Sequence, residues 1–95
     1  MARTEMLMVF SYDIADDRRR RRVARILEET MVRVQESVFE CRLSAAATDR
    51  MLKRLEPELG PDDNLRVYAV GADSLPRCRQ IGGAPFAEDI DFWLL

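Results

Sequence analysis

The chain has 95 residues, 47% of them hydrophobic and 34% charged, with a formal net charge of −2. That length holds one domain with one small core, and the near-neutral balance excludes a surface that is basic all round. Two cysteines and no histidine exclude a disulfide framework, a Cys2His2 zinc site and any Ser-His-Asp arrangement, so hydrolytic chemistry must rest on carboxylates and a metal.

In chain order, Met1 to Glu5 lacks signal-peptide character, which predicts a cytoplasmic protein. Glu5 to Tyr12 reads as a strand. Its apolar run, Met6 to Phe10, is too short to span a bilayer. It is apolar on both parities, which predicts a central strand buried on both faces. Asp13 stands at its end. Asp16 or Asp17 then caps a helix that runs to about Thr30. Val23, Ile26, Leu27 and Thr30 share its apolar face, and Arg18, Arg21, Arg22 and Arg25 lie opposite. Arg19 and Arg20 occupy the first turn, nearer Asp13. Six of the eight residues 18–25 are Arg. Cations near a helix N-terminus oppose the macrodipole, and an anionic partner would relieve that repulsion.

Val32 to Leu43 reads as strand again, with a parity change. Val32 and Val34 are even, whereas Phe39, Cys41 and Leu43 are odd, which demands a bulge or break at Gln35–Ser37. Ser44 caps a second helix with a stripe of Met51, Leu52, Leu55 and Leu59. Pro57 weakens its last turn, and Gly60–Pro61 ends it. Asn64 to Val70 alternates as a strand closed by Gly71. Arg77 to Ile81 is expected as a short strand before Gly82–Gly83. Ile90 to Leu95 is an apolar end expected to dock as an added strand on a sheet edge of its own or a partner chain.

The order is βαββαβ: an α+β, ferredoxin-like fold, with two helices on one face of a largely antiparallel sheet and short C-terminal strands. One domain spans 1–95, with 72–95 a C-terminal extension docking on a dimer partner. A second copy adds burial that so small a core lacks, which favours a homodimer.

Asp13 reads in two ways. It is a metal ligand, or a strand-ending residue that bonds local backbone. One carboxylate is a poor magnesium site, since magnesium takes six oxygens and commonly one or two carboxylates with waters and phosphate oxygens. A twofold dimer would supply two. Asp16 and Asp17 read as caps. The run Arg18–Arg22 is either a solvated helix face or a nucleic-acid surface. Of fifteen basic residues only Lys53 is Lys; this reflects either codon bias or the fit of guanidinium groups to phosphate. Arg33, on the polar face of a half-exposed strand, pairs with Glu36 or reaches phosphate. Phe39 is either core or a base-stacking platform.

Together, Y-D-I-x-D-D-x-x-R-x-R-V-A-x-x-L from Tyr12 and R-V-Q-x-S-V-F-E-x-x-L from Arg33 resemble the CRISPR-associated protein two family. The match is good over roughly Met6 to Leu43. This family is the small partner of the CRISPR integrase in spacer acquisition, a part of antiviral defence. The resemblance implies a ferredoxin-like homodimer with one magnesium ion, or manganese, shared by Asp13 of two subunits. It makes Asp13 the catalytic and metal residue, and Tyr12, Arg20, Arg22, Arg33 and Phe39 the nucleic-acid contacts. It implies a metal-dependent endonuclease acting on single-stranded RNA or double-stranded DNA. It equally implies a scaffold that binds DNA and the integrase without cleaving anything. The fold by itself also allows a small-molecule-binding regulatory module. The chain departs from the family pattern twice. No glycine stands at Thr30-Met31-Val32, and Glu36 is an acid where members commonly carry an uncharged residue.

Overall fold

The computed structural model describes residues 4–83. Strand β1 (Glu5–Asp13) leads into helix α1 (Asp17–Glu28), then β2 (Val32–Gln35), β3 (Val38–Ser44), helix α2 (Ala45–Leu55) and β4 (Asn64–Val70). The sheet order is β2-β3-β1-β4 with every pair antiparallel. Each helix therefore crosses between two parallel strands that a third, antiparallel strand separates. That is the ferredoxin-like arrangement.

β1 is an inner strand, as its apolar run requires. Met8, Phe10 and Tyr12 point to the helices and meet Cys41 and Phe39 on β3, and Ala69, Val67 and Leu65 on β4. Val23, Ala24 and Leu27 of α1 and Met51 and Leu55 of α2 close this core. Burial on the second face is complete only at Leu7; Val9 is half-buried.

Asp16 caps α1, its Oδ2 accepting from the Arg19 amide at 2.9 Å. α1 stops at Glu28, short of Thr30, and Thr30 is exposed rather than part of the apolar face. Met31 takes the buried place at 4% exposure. The amides of Thr30 and Met31 both donate to the Leu27 carbonyl, at 3.2 and 2.8 Å. Glu29 keeps right-handed dihedrals, and no non-glycine residue has positive φ among those described. This exit from the helix needs no glycine, which accounts for the sequence at Thr30–Val32.

The parity change resolves as a hairpin. Glu36 and Ser37 form the turn, and a bulge lies between Arg33 and Gln35, which oppose Phe39 and Val38. Val34 is the extra residue. This corrects the placement of Arg33 on the polar face. Its register partner is Phe39, so it shares the helix-side face, while Val32 is 47% exposed. β2 is an edge strand, and there the arginine rather than the valine covers the core.

Ser44 caps α2 through its Oγ, which accepts from the Ala47 amide at 3.1 Å. Pro57 turns the end of this helix into a 3-10 turn, Glu56–Glu58. The strand expected at Arg77–Ile81 is absent. Leu75–Arg77 is a 3-10 turn instead, because Pro76 lacks an amide hydrogen and fixes φ near turn values. Leu75 is buried there at 5% exposure. The expected docking strand Ile90–Leu95 lies outside the described residues.

One contact pins α1 to the loop before β4. The Arg19 Nε donates to Asp63 Oδ2 at 2.8 Å, and the Gly60 amide donates to the same oxygen at 2.7 Å. The Asp63 side chain is 3% exposed. A Cβ at Gly60 would lie 2.8 Å from the Arg19 guanidinium carbon, so glycine permits the approach. The Arg19 hydrogen bond, then the Gly60 amide, hold the Asp63 carboxyl below its ordinary value of 3.8. A depressed carboxyl pKa gives stability that is present above the unfolded value and lost as pH falls through the folded one. Asp63→Asn is therefore expected to unfold at lower denaturant than the parent at neutral pH, with the gap closing as pH drops below about 4. A gap that does not narrow as pH falls below about 4, read by urea melts, would show that the contact stabilises without ionisation.

Candidate nucleic-acid interface

The site grows out of the core at the C-terminal end of β1. Phe39 is fully buried. Its ring stacks with that of Tyr12, centroids 6.1 Å apart at 28°. The Arg33 guanidinium lies 5.1 Å from the Phe39 centroid, within range of a cation–π contact. Glu28 Oε2 sits 3.8 Å from Arg33 Nη1. The Tyr12 hydroxyl donates to the Glu36 carbonyl at 3.4 Å. Two aromatic rings thus fix the β2–β3 hairpin and the arginine that covers it.

Two adjoining concavities open on this frame. The larger, about 470 Å³, runs along α1 and is lined by Arg20, Arg21, Arg25 and Arg33 with Glu28 and Glu36. The smaller, about 210 Å³, is lined by Asp13, Ile14 and Ser37. Tyr12, Arg20 and Glu36 line both, so an extended molecule in the first reaches the second.

Each acid near the end of β1 has a different state. Asp16 is the helix cap, and the Arg19 amide holds its carboxyl below the ordinary value. Asp17 pairs with Arg20. Asp13 is exposed at the end of β1 opposite Asn64 on β4. Its carboxylate has no hydrogen bond or ion pair among the described residues. No three His, Cys, Asp or Glu side chains among those residues gather closely enough to hold a metal ion. Asp13 alone is a partial donor set for magnesium, which commonly takes one or two carboxylates with waters and phosphate oxygens; a second carboxylate would complete it.

The arginines divide. Arg20 folds back on the β1–α1 loop, donating to the carbonyls of Ile14 and Ala15 at 3.2 and 3.3 Å. Arg22 is not in either concavity; its Nε holds Glu58 Oε1 at 2.8 Å on the side of α1 that faces the loop after α2. Arg21 and Arg25, one turn apart, line the groove and have no ion pair among the described residues. The sequence placed Arg21, Arg22 and Arg25 on one outer face. The direction in which α1 crosses the sheet splits them, and helical spacing alone carries no signal of that.

A ferredoxin-like sheet with the uncommitted carboxylates of Asp13 and Glu36 beside an arginine-lined groove defines a small α+β domain with a densely charged cleft at one end of β1. The chain belongs to the CRISPR associated protein Cas2 family, which matches residues 6–77. It is 40% identical over 86 residues to CRISPR-associated endoribonuclease Cas2 2 of a Synechocystis species, covering 88% of this chain and 92% of that one. Among solved structures, a hypothetical protein from Thermus thermophilus is similar at TM-score 0.78 and 34% identity, covering 90% of this chain and all of the other. A chain from a partial Cas6-RT-Cas1--Cas2 complex is similar at TM-score 0.72 and 26% identity, covering 90% and 93%. Among the described residues, no helix is long and apolar enough to cross a membrane.

Proposed function

We propose that this chain acts in CRISPR adaptation as a homodimer that binds a phosphodiester strand and cleaves it with a divalent metal. The observation that carries this reading is the uncommitted carboxylate of Asp13 opening onto the cleft that Arg20 shares with the arginine groove. Cas2 relatives named as endoribonucleases support single-stranded RNA as the first substrate to try. Duplex DNA is the second. Asp13 of each subunit would hold one magnesium ion, with manganese as a substitute. Bound there, the metal supplies Lewis-acid stabilisation of phosphate charge and a water of lowered pKa.

The chain's own groups do the rest. Arg21, Arg25 and Arg33 bind phosphates along the groove. Arg20, clamped to the loop carbonyls, holds its charge beside Asp13. Tyr12 fixes the hairpin turn. Phe39 has no exposed ring face, so its part is to hold Arg33 rather than to stack a base. Two phosphate contacts fewer flatten the salt dependence of single-strand binding by about 1.4 in log–log slope. Arg21→Ala/Arg25→Ala is expected to show that change in fluorescence anisotropy against single-stranded RNA. Arg22→Ala is expected to keep the parent slope, because Arg22 serves Glu58; a flattened slope would return Arg22 to the contact surface.

A second reading has its own support. The similar chain in the Cas1--Cas2 complex favours partnering with the CRISPR integrase, in which role the dimer supports DNA without cutting it. Co-purification from the native cell tests the partnership. Recovery of the dimer without the integrase at low salt counts against it.

A further inference from the structure

Glu36 is the residue that the groove's chemistry leaves unexplained. It opens the β2–β3 turn, and its backbone carbonyl is held by the Tyr12 hydroxyl at 3.4 Å. Its side chain is exposed and lines both concavities. Arg33 is engaged beside Glu28 and Arg20 with Asp17, while Arg21 and Arg25 line the larger concavity and have no ion pair among the described residues. Glu36 has no ion pair among the described residues. An uncompensated carboxylate therefore stands where the arginine groove meets the cleft of Asp13.

A phosphodiester strand lying along Arg21 and Arg25 and reaching Asp13 passes Glu36. There it meets the carboxylates of Glu36 and Asp13, and Arg20, the cation lining the same cleft, is already paired with Asp17. Like charges at such range repel by an amount worth several-fold in affinity. A divalent cation between phosphate and carboxylates reverses the sign of that interaction. We propose that Glu36 makes entry of a phosphodiester strand into the Asp13 cleft dependent on a divalent cation. In its absence the strand is confined to the arginine groove. Glu36 is then a specificity element that ties binding to the metal-loaded site. This rests on the nucleic-acid reading above and adds a role that reading does not contain.

The test is binding, with no cleavage needed. Anisotropy of a labelled single-stranded RNA oligonucleotide is measured in EDTA and in magnesium at matched ionic strength, with its integrity checked on a denaturing gel after each reading. The parent is expected to bind more tightly in magnesium. Glu36→Gln is expected to gain about fivefold in EDTA and little in magnesium, so the gain from magnesium shrinks by the same factor. Thermal melts establish that the variant is folded, since the turn side chain is exposed. An unchanged magnesium gain in Glu36→Gln overturns the inference while leaving the nucleic-acid reading in place. Equal tightening in both buffers also overturns it, because that is plain repulsion without a cation. Absence of parent binding in either buffer overturns the nucleic-acid reading and this inference with it.

Discussion

Asp13→Ala is expected to lower magnesium-dependent cleavage of single-stranded RNA by at least about 100-fold. Its stability should stay within about 0.5 kcal/mol of the parent. The two halves of that result come from one fact. Asp13 is exposed at the end of β1 and its carboxylate has no partner among the described residues. Nothing in the fold is left unsatisfied when it is removed. The proposed twofold dimer, however, would lose two carboxylates at once, and with them the donor set proposed for magnesium. Asp13→Asn is the stricter variant, since it keeps the volume and removes the charge. The measurement is cleavage of a labelled RNA across a magnesium titration, beside thermal melts and sizing of both variants. Parent-like cleavage by Asp13→Ala would place the activity at another site or in a contaminating nuclease. Cleavage by neither protein, with integration of new spacers intact in Asp13→Ala, would favour the scaffold reading.

The parts of this molecule that are legible in sequence are those set by local rules. The apolar run of β1, the caps at Asp16 and Ser44, and the break at Gln35–Ser37 follow from periodicity and short-range hydrogen bonding. Their order is enough for the ferredoxin-like topology. The misread parts depend on how elements meet. Alternation alone puts Arg33 on the polar face of its strand, but the bulge at Val34 and the edge position of β2 put Arg33 over Phe39. Helical spacing alone grouped Arg21 with Arg22, but the crossing of α1 turns Arg21 to the groove and Arg22 to Glu58. A strand at Arg77–Ile81 rests on composition alone, and the chain instead turns at Leu75–Arg77 around Pro76 and forms no strand after it among the described residues. The candidate site shows the same division. Asp13 is conspicuous in the chain as an acid ending an apolar strand. That Glu36 joins its cleft follows only from the hairpin that folds back beside β1.

Phe39→Ala is expected to cost about 3–5 kcal/mol. Phe39 is fully buried near the start of β3, opposite Phe10 on β1 and against Tyr12 and Arg33. Domains of this size have about 5–15 kcal/mol in total, so a large share of the fold's stability depends on one ring. Urea melts measure it, and a loss under about 1 kcal/mol would mean that the hairpin collapses into the space at little cost. That variant cannot report on function, because the site and the fold fail together. Phe39→Leu separates them: it keeps an apolar core residue and removes the aromatic face under Arg33. The cation–π contact of a partly exposed arginine is worth about 0.5–1 kcal/mol, so RNA affinity should fall about two- to fivefold. The loss must run through Arg33, since no face of Phe39 is open to a base. Phe39→Leu added to Arg33→Ala should therefore weaken binding no further. Full additivity in that double-mutant cycle would mean that Phe39 reaches the nucleic acid by another route.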